Sequence, residues 1–311
     1  MARCVVLGGN GFVGSHLVET LVKQGHETVV FGRQRTVHVP EISSLPGVVW
    51  TEGDFCNADE TAGALEGCEY LFHLISTTLP KSSNDNPGYD IASNLGSTVA
   101  MLDAAVRHGV RKVIFLSSGG TVYGVPQAIP IAENHPTDPL CSYGITKLAI
   151  EKYLHLYNVL HGLEYAVLRL SNPFGPRQRI GAKQGAIAVF LGRALSGQPI
   201  EIWGDGSVVR DYVYVDDTVS ALVAAMDETG PHRVFNVGSN EGRSLNQILD
   251  AIEHQLGQRV DRRYLTGRPF DVPVSVLSVE RAREFLRWEP RVSFEAGLKR
   301  TIDWIRSSQG S

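Results

Sequence analysis

The segment Val5-Val6-Leu7-Gly8-Gly9-Asn10-Gly11-Phe12-Val13-Gly14 constrains this chain more than any other. An apolar strand runs straight into a glycine-rich turn, and Ser15 to Lys23 continues with helical spacing. Glycines 8, 11 and 14 permit a tight turn, close approach of backbone to a pyrophosphate, and close packing of helix on strand. The following helix offers unpaired amides and its positive dipole end to an anion. Strand, turn and helix together predict dinucleotide binding, with Gly8, Asn10, Gly11, Phe12, Val13 and Gly14 as the cradle.

The pattern that begins there repeats. Thr28 to Phe31, Val48 to Thr51, Tyr70 to His73, Lys112 to Leu116 and Tyr165 to Leu168 read as strands, and the stretches between them carry helical spacing: Gly14 to Gln24, Ala58 to Leu65, Ala92 to Arg107 and Ile145 to Leu160. The alternation predicts an α/β fold, a Rossmann-type doubly wound parallel sheet whose ligand crevice lies beyond the carboxyl ends of the strands. After Leu170 turn signals multiply, at Asn172-Pro173-Phe174-Gly175-Pro176 and Gly204-Asp205-Gly206. They mark a smaller mixed α/β unit. The expected division is a dinucleotide domain over residues 1–171 and a discontinuous substrate domain over 172–311. The chain returns to the first domain near 210–250, where Val234 to Val237 reads as another buried strand.

Several classes are excluded by composition. The 311 residues hold 29 Lys+Arg against 33 Asp+Glu, a net charge of -4, with no basic block to track a nucleic acid. Apolar runs are strand-length, far short of a bilayer span. Four scattered cysteines suggest neither disulfides nor a metal site, so the expectation is a cytoplasmic protein without nucleic-acid, membrane or metal partners.

In Ser142-Tyr143-Gly144-Ile145-Thr146-Lys147 a phenol and an ammonium stand at i and i+4 on one helix face. The lysine is expected to lower the phenol's pKa and to hold a cofactor ribose, so that the tyrosine can move a proton to and from a substrate hydroxyl. At this point the chain resembles the extended short-chain dehydrogenase/reductases of the nucleotide-sugar epimerase/dehydratase family. The resemblance rests on the glycine turn, Glu52-Gly53-Asp54, Phe72-His73-Leu74, Ser117-Ser118-Gly119-Gly120-Thr121-Val122-Tyr123-Gly124, and Tyr143 with Lys147. It continues through Leu168 to Gly175, Gly204 to Asp217, and Gly267-Arg268-Pro269-Phe270-Asp271-Val272-Pro273.

The resemblance implies Tyr143 as acid/base and Lys147 as orienter of the cofactor, with Asp54, Phe55 and Leu74 lining the cofactor site. Asn94 is either the family's supporting asparagine or a local helix cap. For the substrate it implies Asn172 and Arg210 on the diphosphate, and Arg268 and Asp271 near a uridine-type nucleoside. An arginine suits phosphate because its planar fork pairs bidentately; the competing role for Arg210 is an ion pair to a nearby aspartate. It also implies a homodimer formed through the helices of 92–107 and 145–160. His16 and His73 are expected to serve packing only.

The chain departs from the family at the Ser or Thr expected four residues before Tyr123, where it has Gly119. Ser118 and Thr121 are the candidate replacements, and alternation along an extended segment favours Thr121. Gly120-Thr121 also stands where dehydratases carry an Asp-Glu pair, which marks dehydration down. The second strand ends in Gly32, followed by Arg33-Gln34-Arg35, where NAD enzymes usually have an acid; this leans the expected cofactor from NAD slightly to NADP. The reading is an NAD(P)-dependent 4-epimerase of a nucleotide-diphosphate sugar with tightly held cofactor. The alternatives are an NADPH-dependent reductase or dehydrogenase of a nucleotide-linked keto-sugar, a 4,6-dehydratase, or a non-catalytic nucleotide sensor.

Overall fold

The computed structural model describes residues 1–33, 42, 44–181, 185–267 and 272–309. Six strands come first, β1 (Arg3–Leu7), β2 (Glu27–Gly32), β3 (Val48–Glu52), β4 (Tyr70–His73), β5 (Lys112–Ser118) and β6 (Glu164–Leu170). They alternate with α1 (Phe12–Lys23), α2 (Ala58–Ala64), α3 (Pro80–Asp85), α4 (Pro87–Asp90), α5 (Ser97–Arg107) and α6 (Ser142–His161). The second half adds β7 (Asn172–Phe174), α7 (Ala186–Leu195), β8 (Ile200–Trp203), β9 (Val209–Tyr214), α8 (Val215–Asp227) and β10 (Val234–Val237). It ends with β11 (Gly242–Ser244), α9 (Leu245–Leu256), β12 (Arg262–Leu265), β13 (Val274–Ser275), α10 (Glu280–Phe285) and α11 (Phe294–Gln309).

The large sheet has the order β3-β2-β1-β4-β5-β6-β10 and every neighbouring pair is parallel. Strand alternation sends Cys4 and Val6 into one core layer, with α1, α8 and α10, and Val5 and Leu7 into the other, with α5 and α6. Burial on both faces explains why these strands read as near-continuous apolar runs. Each fully buried Val, Leu or Phe adds about 1.5–3 kcal/mol. The strand order reverses between β1 and β4, and a crevice opens above such a switch point. Val234–Val237 is the seventh strand, paired with β6. A smaller sheet, β11-β9-β13 with β7 on β9, and the pair β8-β12 carry the remaining core around Phe174, Leu191, Ile202 and Leu298.

One helix departs from its expected form. The helix read from Ala92 begins as a π-turn over Ile91–Gly96, which widens the coil just before α5. No helix among the described residues is long and apolar enough to cross a membrane.

Candidate active site

The glycine turn sits on the carboxyl end of β1. Gly8 has φ +85°, and its amide donates to the Phe31 carbonyl of β2 at 3.0 Å. A Cβ on Gly14 would stand 2.2 Å from the Gly8 carbonyl oxygen and 2.8 Å from the Gly9 Cα, so only glycine lets α1 start this close to the strand. The first helical bond runs from the Ser15 amide to the Gly11 carbonyl, so the amides of Phe12, Val13 and Gly14 precede any intrahelical acceptor. The turn is thus built to accept an anion. Asn10 is buried and its amide donates to the Arg33 carbonyl at 3.3 Å, tying the turn to the end of β2. Gly32 is explained by the same contact: a Cβ there would meet Asn10 Oδ1 at 2.9 Å. Arg35, Arg268 and Asp271 lie outside the described residues.

Beyond β3, the Asp54 carboxylate accepts from the Cys56 amide at 2.9 Å. Phe55 is buried, its ring 5.1 Å from that of His73, so any meeting with an adenine falls to its backbone rather than its ring. The Leu74 amide continues the ladder to the Leu7 carbonyl at 3.1 Å. His73 is buried and makes no contact that chemistry needs: Thr98 Oγ1 donates to the Asn94 carbonyl and therefore accepts from His73 Nε2 at 2.9 Å. Burial, with Lys147 nearby, pushes its pKa down to about 3, so it stays neutral. His16 serves packing between units, with Nε2 3.0 Å from the Pro176 carbonyl.

Asn94 lies within the π-turn and caps nothing, which removes that alternative. Its Oδ1 accepts from the Thr77 amide at 2.9 Å, and its Nδ2 donates to Thr78 Oγ1 at 3.1 Å and Asp90 Oδ1 at 3.0 Å. It fixes the loop that follows β4.

Tyr143 and Lys147 stand on the first turns of α6, above the carboxyl end of β5. Lys147 Nζ donates to the Leu116 carbonyl at 2.9 Å and lies 4.6 Å from the Phe115 ring centroid and 5.6 Å from that of Tyr143. Burial lowers its pKa to about 8, against the pull of Glu151 and Asp90. The expected lowering of the phenol by this lysine is not found. Burial raises the Tyr143 pKa, the nearby Cys141 and Asp90 raise it further, and only the Ser76 hydroxyl opposes them. The reason is that burial of the phenolic group penalises the phenolate, while the Lys147 ammonium lies over the ring and is not among the groups that offset it.

Ser118 to Val122 is not extended. The amides of Thr121 and Val122 both return to the Ser118 carbonyl, at 3.3 and 3.1 Å, so alternation does not apply there. Thr121 packs against α6, where a Cβ on Gly144 would come within 2.7 Å of the Thr121 carbonyl, and its own hydroxyl is buried without a partner among the described residues. Gly119 is glycine because Leu277 fills its side: a Cβ would stand 2.5 Å from Leu277 Cδ1. Beneath, Glu151 pairs with Arg169 at 2.6 Å and accepts from Ser117 Oγ at 2.6 Å, a buried ion pair that braces α6 on β5 and β6.

In the smaller unit, Asn172 Nδ2 donates to the Asp211 carbonyl at 2.8 Å, and Arg210 Nη1 donates to the carbonyls of Val209 and Val272 at 2.8 and 2.7 Å. These bonds hold both side chains on the β7–β9 edge. Asp90, Ser76 and Leu277 were not singled out from sequence. Only the folded chain brings Ser76 and Asp90 near Tyr143 and sets Leu277 against Gly119.

The model of the "NAD dependent epimerase/dehydratase family" matches residues 4–238. A UDP-glucose 4-epimerase of Mycolicibacterium smegmatis is 37% identical over 98% of this chain and 99% of its own. A dTDP-4-dehydro-6-deoxyglucose reductase of Escherichia coli is 30% identical over 97% of both. The crystal structure of a Thermotoga maritima UDP-glucose 4-epimerase with UDP-glucose superposes with a TM-score of 0.93 at 34% identity, covering 99% of each chain. The glycine cradle, the paired Tyr143 and Lys147 and these likenesses agree: the chain belongs to the NAD-dependent epimerase/dehydratase family of extended short-chain dehydrogenases/reductases.

Proposed function

We propose that this protein interconverts two C4 epimers of a UDP-type nucleotide sugar through a 4-keto sugar, using an NAD(P) that it retains through turnover. The observation that carries the reading is the half-buried Tyr143 beside the Lys147 ammonium at the carboxyl edge of the sheet whose first turn is shaped to cradle a diphosphate. The residues fit the cofactor: a Cβ on Gly14 would obstruct the turn, the first α1 amides suit its pyrophosphate, and Lys147 suits its ribose. When bound, NAD(P) supplies a reversible hydride acceptor and, in the oxidised form, positive charge. The absence of an acid after Gly32 and the presence of Arg33 support NADP over NAD.

Tyr143 handles the proton of the C4 hydroxyl, taking it as the carbon becomes a carbonyl and returning it when the alcohol re-forms on the other face. Because burial raises its pKa, Tyr143 takes that proton only as the phenolate, a form that the positive charge of a bound oxidised cofactor would favour. The unpartnered hydroxyl of Thr121 supports its use as the replacement for the family's Ser/Thr, with Ser118 the second candidate. The smaller, discontinuous unit within 172–311 takes the nucleotide diphosphate through Asn172 and Arg210, and Arg268 and Asp271 serve the nucleoside.

A homodimer fits an exposed apolar stripe at helical spacing on α6, formed by Ile145, Leu156, Val159 and Leu160. Replacing Leu156 and Val159 by lysine then yields monomers in light scattering, and a wild-type monomer removes the dimer from the reading. Four free cysteines agree with a reducing, cytoplasmic setting.

Turnover of UDP-sugars by the purified protein without added nucleotide, with NAD(P) released on denaturation, is the expected result. The E. coli reductase relative favours one second reading, the net reduction of a nucleotide-linked keto-sugar. An empty site that turns over only with added NADPH selects that reading over epimerisation.

A further inference from the structure

Asp90, at the end of α4, is fully buried, and none of the roles above uses it. Its carboxylate receives four donors from three parts of the fold. On Oδ1 these are Thr78 Oγ1, from the loop after β4, and Asn94 Nδ2 of the π-turn at 3.0 Å. On Oδ2 they are Ser142 Oγ at 2.8 Å and Thr146 Oγ1 at 2.7 Å, one turn apart on α6. A carboxylate has about four lone-pair sites, so all are filled. Ser142 and Thr146 flank Tyr143, and Thr146 directly precedes Lys147. The same contact region is reinforced by α3, whose Asn84 Oδ1 and Ser83 Oγ accept from the amides of Ser142 and Tyr143 at 2.9 and 3.0 Å.

We infer that Asp90 is a positioning residue: ionised and held by four donors, it locks the loop bearing Ser76, Thr77 and Thr78 to the helix bearing Tyr143 and Lys147. The loop cannot then move relative to the phenol without stripping a buried carboxylate of its donors, which is costly. Burial alone would raise the Asp90 pKa, but Thr78, Thr146, Ser142 and Asn94 together outweigh it and hold the group below the usual carboxylate range. The titratable groups that feel this charge are Tyr143 and Lys147 on α6 and Cys141 just before it, while Lys81 and Asp85 of α3 are exposed. The π-turn contributes only Ser93 and Asn94 as polar side chains.

The test compares wild-type holoenzyme with Asp90→Asn, which keeps size and removes charge. On the functional reading above, kcat falls roughly 10- to 100-fold with KM changed less than about threefold, because geometry rather than ground-state binding is lost. The acid limb of the kcat profile moves to lower pH by roughly half a unit or more, since a negative charge next to the phenol is gone. Independently of activity, hydrogen exchange accelerates at amides 76–79 and 142–146 and not in β1 or β5. Thr146→Val is the second variant should Asp90→Asn fail to fold; it loses about three- to tenfold in kcat, while Thr146→Ser stays near wild type. An unmoved pH limb, or a kcat loss no larger than the loss of folded protein, overturns the proposal. A wild type inactive on every sugar nucleotide refutes the functional reading instead, and unchanged exchange in Asp90→Asn then refutes the positioning role.

Discussion

Gly119→Ser restores the residue type the family carries and is expected to harm the protein. The new Cβ would stand 2.5 Å from Leu277 Cδ1 and 3.1 Å from the Arg169 carbonyl oxygen, where carbon contacts ordinarily rest at about 3.5–4 Å. Leu277 has little room to yield. It is buried in a cluster with Val122, Tyr123 and Ile131, its amide donates to Asp211 Oδ2 at 3.2 Å, and its neighbour Ser278 bonds the Ile131 carbonyl. Overpacking of this kind costs about 1–3 kcal/mol. A cost of about 2 kcal/mol corresponds to a Tm lower by about 3 °C in a chain of this size. Leu277→Ala alone costs about 2–4 kcal/mol through its cavity. The serine should partly fill that cavity, so the double variant is less destabilised than the sum of the singles by about 2 kcal/mol. Denaturant unfolding of the four proteins measures the cycle. A neutral Gly119→Ser, or additivity within about 0.5 kcal/mol, refutes the claim that Leu277 dictates glycine here.

Other outcomes follow from the same geometry. His73 is neutral in the folded chain with a pKa near 3, whereas an unfolded histidine titrates near 6.5; its contribution is complete above pH 6.5 and is lost as pH falls towards 3. By pH 5 the loss is about 2 kcal/mol at about 1.4 kcal/mol per unit, and His73→Gln should flatten that slope in denaturant midpoints. Tyr143→Phe is expected to fold and to lose about 10²- to 10⁴-fold in kcat, measured on UDP-sugar interconversion. Gly14→Ala abolishes NAD(P) binding in calorimetry or fails to fold, because its methyl meets backbone rather than a movable side chain.

Most of the large sheet was legible because its strands are buried on both faces and its helices on one, so that period and composition announce each element. The glycine turn was legible because backbone geometry there admits one residue type, and Tyr143 with Lys147 because i and i+4 on a helix share a face. What escaped depends on contacts between distant segments. The turn at Ser118–Val122 looks like a strand continuation, and only its bonds to the Ser118 carbonyl reveal otherwise. The rise in the Tyr143 pKa follows from burial, which a pairwise reading of tyrosine and lysine omits. Asp90 has no motif at all: its partners are ordinary hydroxyls on a loop and a helix whose meeting requires the tertiary fold.

The vacancy at Gly119 follows from the second half of the chain. Ile131 and Leu277 form a parallel bridge, and the Ile131 amide and carbonyl bond Val276 and Ser278 at 2.8 and 2.9 Å. Asn236, at the sheet's last strand, donates to the carbonyls of both Ile131 and Ser278 and accepts from Tyr123 Oη at 2.6 Å. The C-terminal segment is therefore sewn onto the stretch that follows β5, and Leu277 is delivered to the one place where a family hydroxyl would have its Cβ. Once that leucine is there, a side chain at 119 costs stability, and a hydroxyl for the reaction has to come from a neighbour whose oxygen is unclaimed. Under the proposed function Thr121 is that neighbour: it packs beside Gly144, and its hydroxyl oxygen has no partner among the described residues. Packing at one end of the chain and the choice of catalytic hydroxyl near its middle are thus one constraint, so Thr121→Val should cost activity out of proportion to stability while Leu277 variants do the reverse.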